Sequence, residues 1–218
     1  MCYRYIFFDL DGVILDSMPY HAQAWIEAFS LYNVYFTKEE VYLNEGSIEF
    51  EVIKKLFENK NLSIDEETFK KILSDQKNIF LKKYIKFIKP FKEVPQLIKD
   101  LKKSNKKLAL VTSSDKEIIE KDLPEDIKVN FDVIITADKI KKRKPHPEPY
   151  LKAIELLKAE IEKSVAVENS PTGVLSAKTA GLKCIAITTT LPKEKLKLAD
   201  IVISTHKELK KILMGEIV

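Results

Sequence analysis

Six short apolar runs punctuate the chain, at Tyr5 to Asp9, Leu108 to Thr112, Val133 to Thr136, Val165 to Glu168, Cys184 to Thr188 and Ile201 to Ile203. They are rich in β-branched residues or aromatics, and segments of helical period separate them, which predicts strands alternating with helices. Such alternation builds parallel β-α units, so the fold class is α/β. Between Asp16 and Lys89 the pattern changes, and helical periods follow one another with no strand among them. This stretch reads as an all-helical insertion: the chain leaves the sheet after its first strand and returns near Pro90.

Capping chemistry places the helix starts. Pro19 suits a first helical position behind Ser17 or Asp16. Thr37 with Glu40, Ser63 with Glu66, Ser114 with Glu117 and Thr205 with Glu208 have the spacing of a capping box. Gly181 predicts a left-handed helix end after the turn at Asn169 to Gly173.

Composition narrows the class. A chain of 218 residues with 45% apolar content can bury a full core, as one domain or a domain plus an insertion. Its 37 basic residues face 33 acidic ones, for a formal charge of +4. That balance disfavours nucleic acid as a partner. The densest basic run, Lys139 to Lys144, has no aromatics interleaved and reads as a solvated face carrying one functional lysine. Cys2 and Cys184 form neither a zinc spacing nor a disulfide framework, and Cys184 is expected as a core thiol. The N-terminal residues lack the regions of a signal peptide, and Asp9 interrupts the apolar run too soon for a membrane span. The expectation is a monomer in a reducing cytoplasm, with no membrane partner.

The candidate chemistry starts at YIFFDLDGVILDS, where an apolar strand delivers Asp9 and Asp11 onto a turn closed by Gly12. Alternate strand residues share a face, so two carboxylates two apart at a strand end can address one phosphorus as nucleophile and acid/base. Taken alone, such a turn is weak evidence. Bringing a carboxylate to an anionic phosphate costs about 4 kcal/mol at ~4 Å with an effective dielectric near ~20. The remaining strands would then have to end in a hydroxyl, a cation and further oxygen ligands. LALVTSSD supplies the Thr112 hydroxyl and backbone N–H groups near Ser113, KRKPHPEPY supplies Lys144, and VAVENSPTG supplies Glu168 and Asn169.

These four motifs, in this order, resemble those of the haloacid-dehalogenase superfamily. The longer match through Asp16, Ser17, His21 and Trp25 is similar to the branch containing β-phosphoglucomutase and small sugar-phosphate phosphatases. The resemblance implies a Rossmann-like parallel sheet core at residues 1–16 and 89–218, with an all-helical cap domain inserted at 17–88. It implies that Asp9 attacks phosphorus to form an aspartyl-phosphate while Asp11 acts as acid and then base. Thr112, Ser113 and Lys144 would bind phosphate. Asp9, the Asp11 backbone carbonyl and one or both of Glu168 and Asn169 would hold Mg2+, Asn169 standing where relatives more often have Asp. His21 and Trp25, four apart on the first cap helix, would face the substrate or, for His21, Asp11.

Relatives that are mutases hold a second phosphate with a cap arginine near a glycine that Gly46 resembles. This chain has Glu49 there, and its only arginines, Arg4 and Arg143, lie outside the cap. The expectation is therefore a magnesium-dependent phosphomonoester hydrolase acting on a small phosphorylated metabolite, with a sugar phosphate the leading class. A β-phosphoglucomutase-like phosphomutase is the alternative. A phosphometabolite-binding protein whose catalysis has decayed is a third, motivated by Asn169 alone.

Overall fold

The computed structural model describes residues 3–44 and 49–216; Cys2 and Gly46 lie outside the described residues. Six parallel strands, β1 (Tyr5–Phe8), β2 (Lys107–Val111), β3 (Val133–Ile135), β4 (Ser164–Glu168), β5 (Lys183–Ile187) and β6 (Ile201–Ile203), form one sheet in the order β3-β2-β1-β4-β5-β6. All six predicted strands are present, with ends shifted by one residue or so.

The two-residue period of each strand sorts its side chains between two cores. Ile6, Phe8, Leu110 and Val167 pack on one face, and Tyr5, Phe7, Ala109 and Ala166 on the other. Both faces are covered by helices, which is why the strands read as continuous apolar runs rather than as alternating ones. Cys184, in β5, is fully buried, as expected of a core thiol. The strand order turns back at β1, which lies between β2 and β4. Ligands in open α/β sheets gather beyond the carboxyl ends at such a point.

After β1 the chain runs through α1 (Met18–Ser30), α2 (Lys38–Leu43), α3 (Phe50–Glu58) and α4 (Glu66–Ile79). The last continues into a π turn at Phe80–Tyr84 and a 3-10 turn at Ile85–Phe87. No strand occurs among the described residues of this insertion. It has an apolar core of its own, in which Trp25, Phe29, Phe36, Phe57 and Ile72 pack together. The outgoing and returning connectors are hydrogen-bonded to each other: Asp16 N–H donates to Lys89 O at 2.9 Å, and Phe91 N–H to Ile14 O at 3.0 Å.

The remaining helices are α5 (Val94–Lys103), α6 (Lys116–Asp122), α7 (Glu125–Lys128), α8 (Glu148–Leu157), α9 (Pro171–Thr179) and α10 (His206–Met214). The Thr37–Glu40 capping box is complete, and Thr205 accepts from Glu208 N–H. Two capping expectations fail. Asp65, not Ser63, caps α4 by accepting from Thr68 N–H, because it stands directly before the first helical residue. Asp115 occupies the N-cap position of α6, and Ser114 is diverted elsewhere. Gly181 has φ +86° beyond the end of α9, as expected. No helix among the described residues is long and apolar enough to cross a membrane.

Candidate active site

Asp9 follows the last residue of β1 and continues its ladder, donating N–H to Val167 O at 3.0 Å. The register that aligns Phe8 with both Leu110 and Val167 sets Asp9 beside the ends of β2 and β4. Its carboxylate accepts from Lys144 Nζ at 2.6 Å. The same ammonium donates to Glu168 Oε1 at 2.7 Å and to the Val111 carbonyl at 2.9 Å, which uses all three of its protons. The Tyr150 hydroxyl donates to Glu168 Oε1 at 2.5 Å. Lys144, Glu168 and Tyr150 are essentially sealed from water.

This packing sets the protonation of the cluster. Burial works against the charge on Lys144, but Asp9 and Glu168 outweigh it and hold the ammonium pKa above the usual lysine range. Burial pushes Asp9 up, Lys144 pulls it down, and the like charges of Glu168 and Asp11 push it up again, so its pKa ends well above the carboxylate norm. A buried charge that loses its partner costs about 3–5 kcal/mol. Lys144, bonded to both Asp9 and Glu168, is the partner the other two share.

Asp11 is held by three side chains. Its Oδ1 accepts from Ser17 Oγ at 2.5 Å and lies 3.1 Å from His21 Nε2, while Oδ2 accepts from Ser114 Oγ at 2.8 Å. Burial disfavours its charge, yet His21 and then the hydroxyls of Ser17 and Ser114 bring its pKa below the ordinary value. The two hydroxyls that capping logic assigned to helix starts serve the carboxylate instead. Neither Ser17 nor Ser114 makes a cap bond with its side chain. The His21 ring stacks on Phe80 at 4.1 Å between centroids, so both sides of the imidazole contact belong to the insertion.

Gly12, at φ +82°, closes the turn, and a Cβ there would fall 2.1 Å from Asn169 Nδ2. Asn169 thus packs directly against the Asp9 to Gly12 loop. It donates Nδ2 to Thr190 Oγ1 at 2.8 Å, which leaves its Oδ1 as an acceptor. Glu168, by contrast, is turned to Lys144 and Tyr150. Its carboxylate also lies against Gly173, where a Cβ would meet Oε2 at 2.1 Å. No group of three His, Cys, Asp or Glu side chains among the described residues is arranged to hold an ion by itself. The oxygens that could hold a hard cation are those of the Asp9 carboxylate, the Asp11 carbonyl and Asn169 Oδ1, a donor type that suits Mg2+ with several waters. Thr112 is buried at the end of β2 and accepts from Ser114 N–H at 3.0 Å.

A pocket of about 230 Å³ opens between the insertion and the loops beyond the carboxyl end of the sheet, lined among others by His21, Trp25, Ser113, Ser114, Lys77 and Arg143. Trp25 also packs on Phe29 in the insertion core. Sequence reasoning missed Arg143 as a pocket residue, because it sits in a run of lysines and outside the insertion. His206 serves the fold, its Nε2 lying 2.7 Å from the Val13 carbonyl.

Residues 6–187 match the family described as haloacid dehalogenase-like hydrolase. The chain belongs to this family. It is 32% identical over 181 residues to a protein of Thermotoga maritima named phosphorylated carbohydrates phosphatase, covering 83% of this chain and 82% of that one. It is 26% identical over 187 residues to the pyrophosphatase PpaX of Bacillus cereus, covering 85% and 83%. The crystal structure of β-phosphoglucomutase from Clostridium difficile superposes with a TM-score of 0.82 at 25% identity, covering 99% of this chain and 96% of that one.

Proposed function

We propose that this haloacid dehalogenase-like hydrolase is a magnesium-dependent phosphatase that removes the phosphoryl group from a small phosphorylated metabolite, a sugar phosphate in the first instance. The observation that carries the reading is the pairing of differently held carboxylates: Asp9 against Lys144, and Asp11 among His21, Ser17 and Ser114. One carboxylate beside a fixed ammonium and one held by an imidazole and two hydroxyls are suited to two roles, nucleophile and proton carrier.

In the first step a carboxylate oxygen of Asp9 forms a bond to phosphorus while the bond from phosphorus to the leaving oxygen breaks, and a proton shared between His21 and Asp11 passes through Asp11 to that oxygen. In the second, Asp11 takes a proton from water as the water oxygen attacks phosphorus, and the acyl phosphate bond breaks to return Asp9 and release phosphate. Lys144 offsets negative charge on Asp9 throughout, and the Thr112 hydroxyl with backbone N–H groups near Ser113 would hold the phosphoryl oxygens. Asp9, the Asp11 carbonyl and Asn169 would hold Mg2+, which when bound screens the approach of carboxylate to phosphate. Glu168 would support that site through Lys144. Residues 17–88 would act as a cap that excludes water and brings His21 to Asp11.

The names of the relatives support phosphorylated carbohydrate as the substrate class and add pyrophosphate to the trial panel. A phosphomutase reading draws on the β-phosphoglucomutase likeness. Against it stands the lack of an arginine in the insertion. The test is magnesium-dependent phosphate release over sugar phosphates, β-glucose 1-phosphate and pyrophosphate, beside Asp9→Asn and with isomerised sugar assayed in parallel. Release that Asp9→Asn abolishes supports the phosphatase; isomerisation without comparable release would replace it with the mutase. Silence on every substrate, with Mg2+ bound, would favour a binding protein.

A further inference from the structure

The bond that fixes His206 in the fold ends on the turn that carries Asp11, and the carbonyls of that turn show what it does there. Inside the turn, Leu10 O accepts from the N–H groups of Val13, Ile14 and Leu15 at 3.3, 2.8 and 2.9 Å, and Leu15 O accepts from Gly12 N–H at 2.8 Å. Three consecutive carbonyls accept from outside it: Gly12 O from Thr189 Oγ1 at 2.6 Å, Val13 O from His206 Nε2 at 2.7 Å and Ile14 O from Phe91 N–H at 3.0 Å. A carbonyl only accepts, so Nε2 of His206 carries the proton.

The three outside donors differ in what holds them. Phe91 belongs to the returning connector of the insertion. Thr189 is exposed, so water competes for its bond. His206 is buried and opens α10, whose start is fixed by the Thr205 hydroxyl accepting from Glu208 N–H at 3.2 Å. Its ring packs on Phe91, with centroids 4.6 Å apart. His206 thus ties the β6 edge of the sheet to the turn after β1 and to the returning connector at once. Burial holds its pKa below the ordinary value, against the pull of the Val13 carbonyl and Glu93, so the bond is made by a neutral ring at neutral pH.

We propose that His206 is a positioning residue for the reaction: by fixing the Val13 carbonyl it sets the Asp11 segment, the carboxyl toward its three partners and the backbone carbonyl toward the Mg2+ site. This rests on the phosphatase reading and adds to it a residue that touches neither the substrate nor the proposed ion. Only Gly12, at φ +82°, separates Val13 from Asp11, and a glycine offers little resistance when its neighbour is freed. A misplacement of about 1 Å can cost about 100-fold in rate even when its origin lies outside the chemistry.

Two substitutions separate the hydrogen bond from the ring. His206→Phe keeps an aromatic ring against Phe91 and removes the donor, whereas His206→Gln keeps a donor in place of Nε2 and removes the ring. Measured per folded molecule on the most active substrate of the trial panel, His206→Phe should lower kcat about tenfold or more with KM within about twofold, and His206→Gln should stay within about threefold of the unmodified protein. Mg2+ titrated alone by calorimetry should bind several-fold more weakly to His206→Phe and almost unchanged to His206→Gln. A role in folding alone would lower the melting temperature of both variants and leave kcat and Mg2+ affinity unmoved. That result, a glutamine variant that falls as far as the phenylalanine one, or a phenylalanine variant that never folds, overturns the proposal. If the unmodified protein releases phosphate from no substrate, the phosphatase reading is what fails, and Mg2+ calorimetry then decides: weaker binding in His206→Phe alone sustains the positioning role, and equal binding or none overturns it.

Discussion

His21 Nε2 lies 3.1 Å from Asp11 Oδ1, joining the first helix of the insertion to the turn after the central strand. The proton affinity of Asp11 thus depends on a group from another part of the fold. In His21→Asn the largest influence lowering the Asp11 pKa is gone, so that pKa rises. We expect kcat to fall by about 10- to 100-fold, below the full 10²–10⁴ of general acid–base catalysis. Because the water-attack step needs ionised Asp11, the acid limb of the pH profile should move to higher pH. An unchanged limb and rate would reduce His21 to a core residue stacked on Phe80.

Asp9 is held at a cost to stability. Its folded pKa is raised, so on the rise in pH the unfolded chain gives up the proton first, near the ordinary pKa of about 3.9, and stability declines until the folded carboxyl also ionises. Asp9→Asn removes that penalty, and Lys144 keeps Glu168 and the Val111 carbonyl. The variant should melt no lower than the unmodified protein at pH 8, and its relative advantage should shrink as pH falls toward 4. A larger advantage at pH 4 than at pH 8 would contradict the sign.

Gly173 lies in the first turn of α9, where alanine would ordinarily favour a helix by up to about 1 kcal/mol. Here an added Cβ would meet Glu168 Oε2 at 2.1 Å. Gly173→Ala should therefore destabilise, by about 2–4 kcal/mol in denaturant unfolding, and should lower activity by displacing the partner of Lys144. Unfolding at or above the denaturant midpoint of the unmodified protein would show that Glu168 has room to move.

Asn169→Asp adds a negative charge to the oxygen set proposed for Mg2+. The Thr190 hydroxyl can turn to donate where it now accepts from the amide. Calorimetric titration should show Mg2+ binding tightened about tenfold, with phosphate release saturating at correspondingly lower magnesium. Equal affinity would place the ion away from residue 169.

The sheet was legible because its central strands are buried on both faces, and β1, β2 and β4 lead into chemically distinctive residues. Asp9, Asp11 and Glu168 could be named near strand ends that the register carries together, whereas Lys144 was named through the flanking Pro145, Pro147 and Tyr150. What escaped was the second use of a capping residue. Ser17 and Ser114 have the spacing of helix caps, and only the fold shows that a buried carboxylate competes for both hydroxyls. Glu168 and Asn169 read as candidate metal ligands, one or both, and sequence does not reveal that the Glu168 carboxylate turns to Lys144 and Tyr150. Arg143 was invisible for a different reason: in a basic run, exposure to solvent and exposure to a pocket look the same.

The two connectors of the insertion are hydrogen-bonded side by side, and His21 stands one helical turn beyond the outgoing one. If the insertion moves as the proposed cap, a swing about that paired neck would take the imidazole away from Asp11, while Ser114 stays with the sheet. An open enzyme would then hold its acid/base out of tune, and a visiting water or an ill-fitting ester would meet a carboxyl not yet set for its work. Fidelity in such a molecule would become a matter of timing, with reaction waiting on closure.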